Sequence, residues 1–255
     1  MFPLRDENPT ELVPFLTLAI IAINVGVWFL VQGAGLDPGV LQESVCTYGA
    51  IPAELTGQVE PLPPELRRWG LTCPRGGLTW SALLTSMFLH GGWFHLIGNM
   101  WFLWIFGNNI EDSMGHLRFL LFYLVTGLAA AAGHVISAPG SQIPTVGASG
   151  AISGIMGAYL VLYPRVRVYT LFIIVIFIRV IPLPAWIMLG YWFLIQLLAG
   201  TATSAADAGV AFWAHIGGFV AGLALVKPFE NPDLVDAKRR RIKLDRRQIR
   251  HGGWW

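Results

Sequence analysis

Charge is what this chain has least of. Only 13% of its residues are Asp, Glu, Lys or Arg, where a soluble globular domain carries about a quarter, and 55% are hydrophobic. No acidic residue falls inside any of the long apolar runs, and the two halves show no inverted repeat. Both absences argue against a transporter or channel, which marks its permeation path with intramembrane carboxylates. Cysteine is limited to Cys46 and Cys73, there is no His-Glu-x-x-His, and three or four His, Cys or carboxylate ligands nowhere cluster. A zinc protease is therefore disfavoured. The first apolar run is followed by no small-residue cleavage site, so it reads as a retained span rather than a signal peptide.

What is present is a series of apolar runs near or above the ~18 residues that cross a bilayer. Residues 1–13 form a short polar lead containing Arg5. Pro14 to about Gln32 is the first span, with Trp28 and Phe29 as interface aromatics. A long Pro- and Gly-rich loop (33–79) follows and holds both cysteines. They either close a disulfide, which requires that loop to face an oxidising space, or remain two free buried thiols. After a brief apolar stretch from Trp80 to Leu89, the sequence Phe-Leu-His90-Gly-Gly-Trp-Phe-His95-Leu-Ile-Gly-Asn99 leads into a second span ending near Asn109. Phe119–Ser137, Val146–Tyr163, Pro184–Ala199 and Phe212–Val226 are the third to sixth. Val168–Ile181 is apolar but short, contains Arg179 and ends at Pro182-Leu-Pro184, which suits an interfacial or re-entrant segment. The reading is an all-α polytopic membrane protein: a cytoplasmic lead (1–13), a six-helix membrane domain (14–227) and a basic tail (228–255).

Six spans place both termini on one side. Lys238, Arg239, Arg240, Arg241, Lys243, Arg246, Arg247 and Arg250 crowd the tail, and the positive-inside rule makes that side cytoplasmic. The tail is thus read as a solvated cytoplasmic segment, not a nucleic-acid arm. Arg165, Arg167 and Arg179 fall on the same side.

With this topology the second, fourth and sixth spans all begin at the outer face. At 1.5 Å per residue, His95, Asn99, Ser149 and His215 share a layer within roughly 10 Å of that face. Polar groups there are expensive and are functional candidates. Ser149 lies in Gly147-Ala-Ser-Gly-Ala-Ile-Ser-Gly154, at the mouth of a helix whose free N–H groups favour developing negative charge. Gly150 and Gly154 on the fourth span face Gly218 and Gly222 on the sixth as two small-xxx-small stripes, which bring helix backbones together. Ser149 and His215 then meet at matching ends, the minimal arrangement for an activated hydroxyl. His95 and Asn99, four residues apart, share one face and join the N–H groups of Ser149 and Gly150 as oxyanion donors; interhelical hydrogen bonding is their structural alternative. Asp207 sits in a loop eight residues before His215, so a dyad is preferred to a triad.

The set His90…His95-x-x-x-Asn99, Gly147-x-Ser149-Gly150-x-x-x-Gly154 and Ala214-His215-x-x-Gly218-x-x-x-Gly222, in that order on spans two, four and six, resembles the rhomboid family of intramembrane serine proteases. The likeness covers the whole six-helix core. It implies that Ser149 is the nucleophile and His215 its general base, with His95, Asn99 and the Ser149 N–H on the oxyanion. It further implies hydrolysis of peptide bonds in or beside a membrane helix of single-span or multi-span substrates, near the outer face, without metal or organic cofactor. His90 would brace the turn into span two by hydrogen bonding. Two departures stand out: Ser153 replaces an aromatic that packs under the histidine in several members, and Arg68-Trp69 reverses the family's Trp-Arg pair. A catalytically inactive relative that binds and escorts membrane helices is the competing reading.

Smaller expectations follow. His134, Met87, Met100 and Met114 read as packing or interface residues. Trp186, Tyr191, Trp192 and Phe193 on span five face lipid or line a lateral gate toward Gly98. A glycine- and serine-lined pocket favours small P1 residues and substrate helices with nearby breakers. With no organelle-targeting extension before the first span, a bacterial inner membrane is the expected location.

Overall fold

Each long apolar run winds into a helix, because in lipid only a helix satisfies every backbone group internally. The computed structural model describes residues 1–59, 73, 80–174, 177–202 and 211–240; Arg68-Trp69, Asp207 and the tail beyond residue 240 lie outside them. In chain order the helices are α1 (Phe15–Leu30), three short helices α2 (Pro38–Tyr48), α3 (Pro52–Thr56) and α4 (Ala82–Thr85), then α5 (Trp93–Phe102). A π-helical turn at Leu103–Gly107 carries α5 into α6 (Asn108–Met114). Gly115, at φ +80°, breaks α6 from α7 (His116–Ser137). There follow α8 (Ser149–Leu162), α9 (Ala185–Ala202), α10 (Phe212–Phe229) and α11 (Pro232–Arg240).

α7, α9 and α10 are long and apolar enough to cross a membrane, and α1 and α8 are shorter apolar helices. The outward side chains of α1 and α7 are those of a lipid-facing surface: Leu30 and Ile136 are 88% and 80% exposed. In water such a belt would be an aggregation site; in a bilayer it is solvated. α8 is the hub. From Gly150 to Tyr159 it is buried throughout, between α7 and α10.

The chain is mostly helical rather than all-α. A three-stranded antiparallel sheet, order β1-β2-β3, is formed by β1 (Phe2–Asp6), β2 (Arg167–Ile174) and β3 (Phe177–Pro184). The segment expected to be interfacial or re-entrant is therefore a β-hairpin, with Val168 opposite Leu183 and Phe172 opposite Arg179. Its β-branched and aromatic residues suit a pleated ribbon, and it is too short to span as a helix. Ile173 and Ile178 are both 67% exposed on it. The polar lead supplies the third strand, with a register shift between Pro3 and Arg5.

Of the two states open to the cysteines, the structure shows the disulfide: Cys46 and Cys73 are joined, with Cα atoms 5.0 Å apart.

At the end of the bundle opposite Ser149, α6 acts as an anchor. Glu111 is fully buried and accepts hydrogen bonds from the Leu16 and Thr17 N–H groups (both 2.8 Å), capping the start of α1. Asp112 accepts from the N–H of Leu12 at 2.7 Å and from Lys238 Nζ of α11 at 2.8 Å. Lys238 also donates to Asn109, which donates in turn to Asp6 (2.8 Å each). Tyr159 of α8 donates its hydroxyl to the same Asp6 oxygen.

Burial raises the Asp6 carboxyl from 3.8 to about 6, against the lowering effect of the Tyr159 hydrogen bond and Lys238. Its folded-state affinity for a proton exceeds the unfolded one, so the native state holds more protons across that window. The Asp6 contribution to stability is then full below the unfolded value and declines as pH rises through about 6. At about 1.4 kcal/mol per pH unit its upper bound is ~3 kcal/mol. Asp6→Asn is expected to flatten the thermal stability profile in detergent between about pH 4 and about pH 6.5. An identical profile in the two proteins would rule out Asp6 as its source.

Candidate active site

Gly147, at φ +124°, turns the chain into α8 while its N–H donates to the Ser86 carbonyl at 2.8 Å. A side chain is barred at this corner: a Cβ would lie 2.7 Å from His95 Nε2. Ser149 is the first residue of α8, and the N–H groups of Ser149 and Gly150 sit in the first turn, where the helix offers no carbonyl to them. His215 is the fourth residue of α10. Its Nε2 lies 2.8 Å from Ser149 Oγ.

That approach is made possible by glycine. A Cβ on Gly218 would overlap the Gly150 carbonyl, and one on Gly222 would overlap the Gly154 carbonyl. On its other side α8 uses the same residues against α7, Gly150 meeting Ala130 and Gly154 meeting Thr126. The two helices thus run at backbone contact, as small-residue stripes allow, and their first turns end side by side.

His95 and Asn99 come from one face of α5. The Asn99 amide donates to the His95 carbonyl at 3.0 Å, and His95 Nδ1 accepts the Gly91 N–H at 3.2 Å. In a neutral ring this leaves the proton on Nε2, the nitrogen turned toward Gly147. His95 is therefore a donor at the mouth of α8. A cavity of about 770 Å³ opens here, lined by His95, Asn99, Ser149, Gly150, Trp192 and His215 among others. The arrangement can activate a hydroxyl, place it beside an electrophile and surround the resulting oxyanion with N–H donors.

Other expected residues divide. His90 is fully buried, but its brace is its backbone: its N–H donates to Gln32 Oε1 (2.8 Å) and its carbonyl accepts from Gln32 Nε2 (2.7 Å). Its ring packs edge-on against His95, 5.1 Å between centroids, with no hydrogen-bond partner among the described residues. His134 is buried and lines the cavity. Met87, Met100 and Met114 are all core residues. On α9, Trp186 and Tyr191 are exposed while Phe193 stacks on Phe219 at 4.6 Å. Among the described residues, no three His, Cys, Asp or Glu side chains gather to hold a metal.

Ser153, the departure under the histidine, is buried and donates its hydroxyl to the Ser149 carbonyl at 2.6 Å. It steadies α8 and leaves the ring of His215 to α9. Trp192 tilts against that ring at 5.9 Å, and Gln196 Oε1 lies 2.8 Å from its Nδ1. Sequence reading passed over Gln196. The signal was there: it is the only side-chain amide in the fifth apolar run, one turn after Trp192.

A model of the Rhomboid domain family matches residues 77–229. The rhomboid protease GluP of Bacillus subtilis (strain 168) is 31% identical over 215 residues, covering 84% of this chain and 36% of GluP. The mitochondrial RHOMBOID-like protein 6 of Arabidopsis thaliana is 34% identical over 169 residues, 61% of this chain and 54% of the relative. The chain thus spans between about a third and about half the length of these relatives.

Proposed function

The chain belongs to the rhomboid family, and on that premise we propose that it is an intramembrane serine endopeptidase. Ser149 is the nucleophile and His215 the general base, and the substrates are membrane proteins cut in or beside a transmembrane helix. The observation that carries this reading is the 2.8 Å contact between Ser149 Oγ and His215 Nε2 at a helix N-terminus inside a cavity.

His215 Nε2 takes the Ser149 proton as Oγ attacks the scissile carbonyl, and returns it to the leaving amine. Water, activated by the same ring, then releases the acyl group. The oxyanion is held by His95 Nε2–H, Asn99 and the N–H groups of Ser149 and Gly150, each such donor contributing a factor of roughly 10² to 10³. Six spans are proposed: α1, α5 with α6, α7, α8, α9 and α10. Both termini are cytoplasmic and the cavity opens outward. The Cys46–Cys73 disulfide, between the first and second spans, supports that orientation because it needs an oxidising side. A bacterial cell membrane is the proposed location.

The test is a reconstituted preparation of the full chain with a panel of single-span reporters. Cleavage is expected near the outer end of the helix and to favour small P1 residues, because Gly147, Gly150 and Ser149 wall the site. Helices carrying Gly or Pro near the cut should be preferred, since a scissile bond within regular helix is shielded. Equal cleavage of bulky P1 residues and rigid poly-Leu helices would sink the specificity argument. Absence of both cleavage and fluorophosphonate labelling of Ser149 would sink the protease reading.

A further inference from the structure

We propose that Gln196 is a positioning residue for the general base: its side-chain carbonyl holds the Nδ1–H of His215 and so fixes the tautomer whose Nε2 lone pair faces Ser149. The inference rests on the protease reading above. His215 stands between two partners, Ser149 Oγ and Gln196 Oε1, each at 2.8 Å. A neutral imidazole carries one proton, and only the Nδ1–H form leaves Nε2 free to accept from the serine.

At its other end the amide has an acceptor near it. Gln196 Nε2 lies 3.5 Å from the Trp192 carbonyl, an acceptor one turn back on α9. Turning the amide over would set its NH₂ against the imidazole and its oxygen against that carbonyl. It would also demand the opposite tautomer, with a proton on Nε2 and no base for Ser149. Gln196 is buried, so bulk water does not replace it. Among the described residues, the titratable groups facing His215 are His95 from α5 and His134 from α7, neither an anion. Among them, the partner that meets Nδ1 is the neutral acceptor Gln196 Oε1.

An amide suits this place. A carboxylate in the same position would orient the ring too, but an ionised group buried among apolar helices is costly without a cation. A neutral acceptor still selects the tautomer, as the Asn of Cys-His-Asn proteases does. It also stands in for the aromatic support that Ser153 cannot give.

Three variants in proteoliposomes test this: Gln196→Leu, Gln196→Glu and Ser149→Ala as the blank. Gln196→Leu is expected to lower kcat by roughly 10- to 100-fold with KM changed by less than about twofold, since tautomer and ring angle, not substrate binding, are lost. Gln196→Glu keeps the acceptor and should recover most of that rate. If ionised it also shifts the acidic limb of the kcat profile to higher pH. ¹⁵N spectra of histidine-labelled protein should show His215 as the Nδ1–H form in the parent and as a mixture in Gln196→Leu. Parent-like kcat in Gln196→Leu, or a loss confined to KM with the tautomer unmoved, would overturn the proposal. Fluorophosphonate labelling separates the two levels. Equal labelling rates in parent and Gln196→Leu remove Gln196 alone, whereas an unlabelled parent removes the protease reading and this inference with it.

Discussion

Ser149→Ala is expected to reduce turnover of a membrane-helix substrate by at least roughly three orders of magnitude, and His215→Ala to do the same. The double variant should be no worse than either alone, because on the proposed mechanism the hydroxyl and the imidazole would act as one unit across their 2.8 Å contact. Ser149 without its base is an ordinary alcohol at neutral pH, and His215 without the serine has nothing to deprotonate but water. Substrate affinity should change little, since neither side chain is needed to hold a helix against the cavity. The measurement is cleavage of a single-span reporter in proteoliposomes, with the cut site read by mass spectrometry. Ser149→Ala retaining more than about a tenth of parental turnover at the same bond would point to another nucleophile.

Gly222→Ala should cost about 1–3 kcal/mol of stability and Gly222→Val more, with cleavage falling further than stability alone explains. The added Cβ would meet the carbonyl of Gly154, a backbone group that cannot swing aside. α10 must slide or tilt away from α8. His215 lies on α10 two turns before Gly222, so the displacement is passed to Nε2, and misplacement by about 1 Å at a reacting centre costs about a hundredfold. Gly190→Ala on α9 is the matched control. A Cβ there meets nothing within 4 Å, and helix propensity alone makes the change neutral to slightly stabilising. Thermal unfolding in detergent and reporter cleavage, measured side by side, decide the matter. If Gly222→Ala melts and cuts like the parent, the helices are not held by backbone contact.

The comparison of sequence with structure turns on what kind of information each residue carries. The helices were legible from length and hydropathy because lipid leaves few alternatives. The meeting of Ser149 and His215 was legible because each sits at a fixed offset from glycines that dictate how their helices meet. Gln196 was not: it is 19 residues from His215, and its meaning depends on the rotation of α9, which an evenly apolar helix does not encode. The hairpin was hidden for a different reason. Ile173–Phe177 contains no Gly, Pro, Asn or Asp to announce a turn, and its partner strand at Phe2–Asp6 is remote and holds a proline. Glu111 and Asp112 lie between the second and third apolar runs, and no spacing there marks a partner. Their function as anchors appears only when the backbone N–H groups of residues 11–17 are followed to their acceptors.

That anchor also sets an order of events during biosynthesis. Asn109 and Asp112 are made after the lead whose Asp6 carboxyl and Leu12 N–H they bind. Lys238, which joins both of them, is translated 126 residues after Asp112. In the interval Asp6 and Asp112 lack Lys238 but already have Asn109, Tyr159 and the Leu12 N–H as partners. The contacts that tie α11 to this anchor therefore wait for Lys238 to be made. The Ser149 end, by contrast, can assemble as soon as α10 enters beside α8.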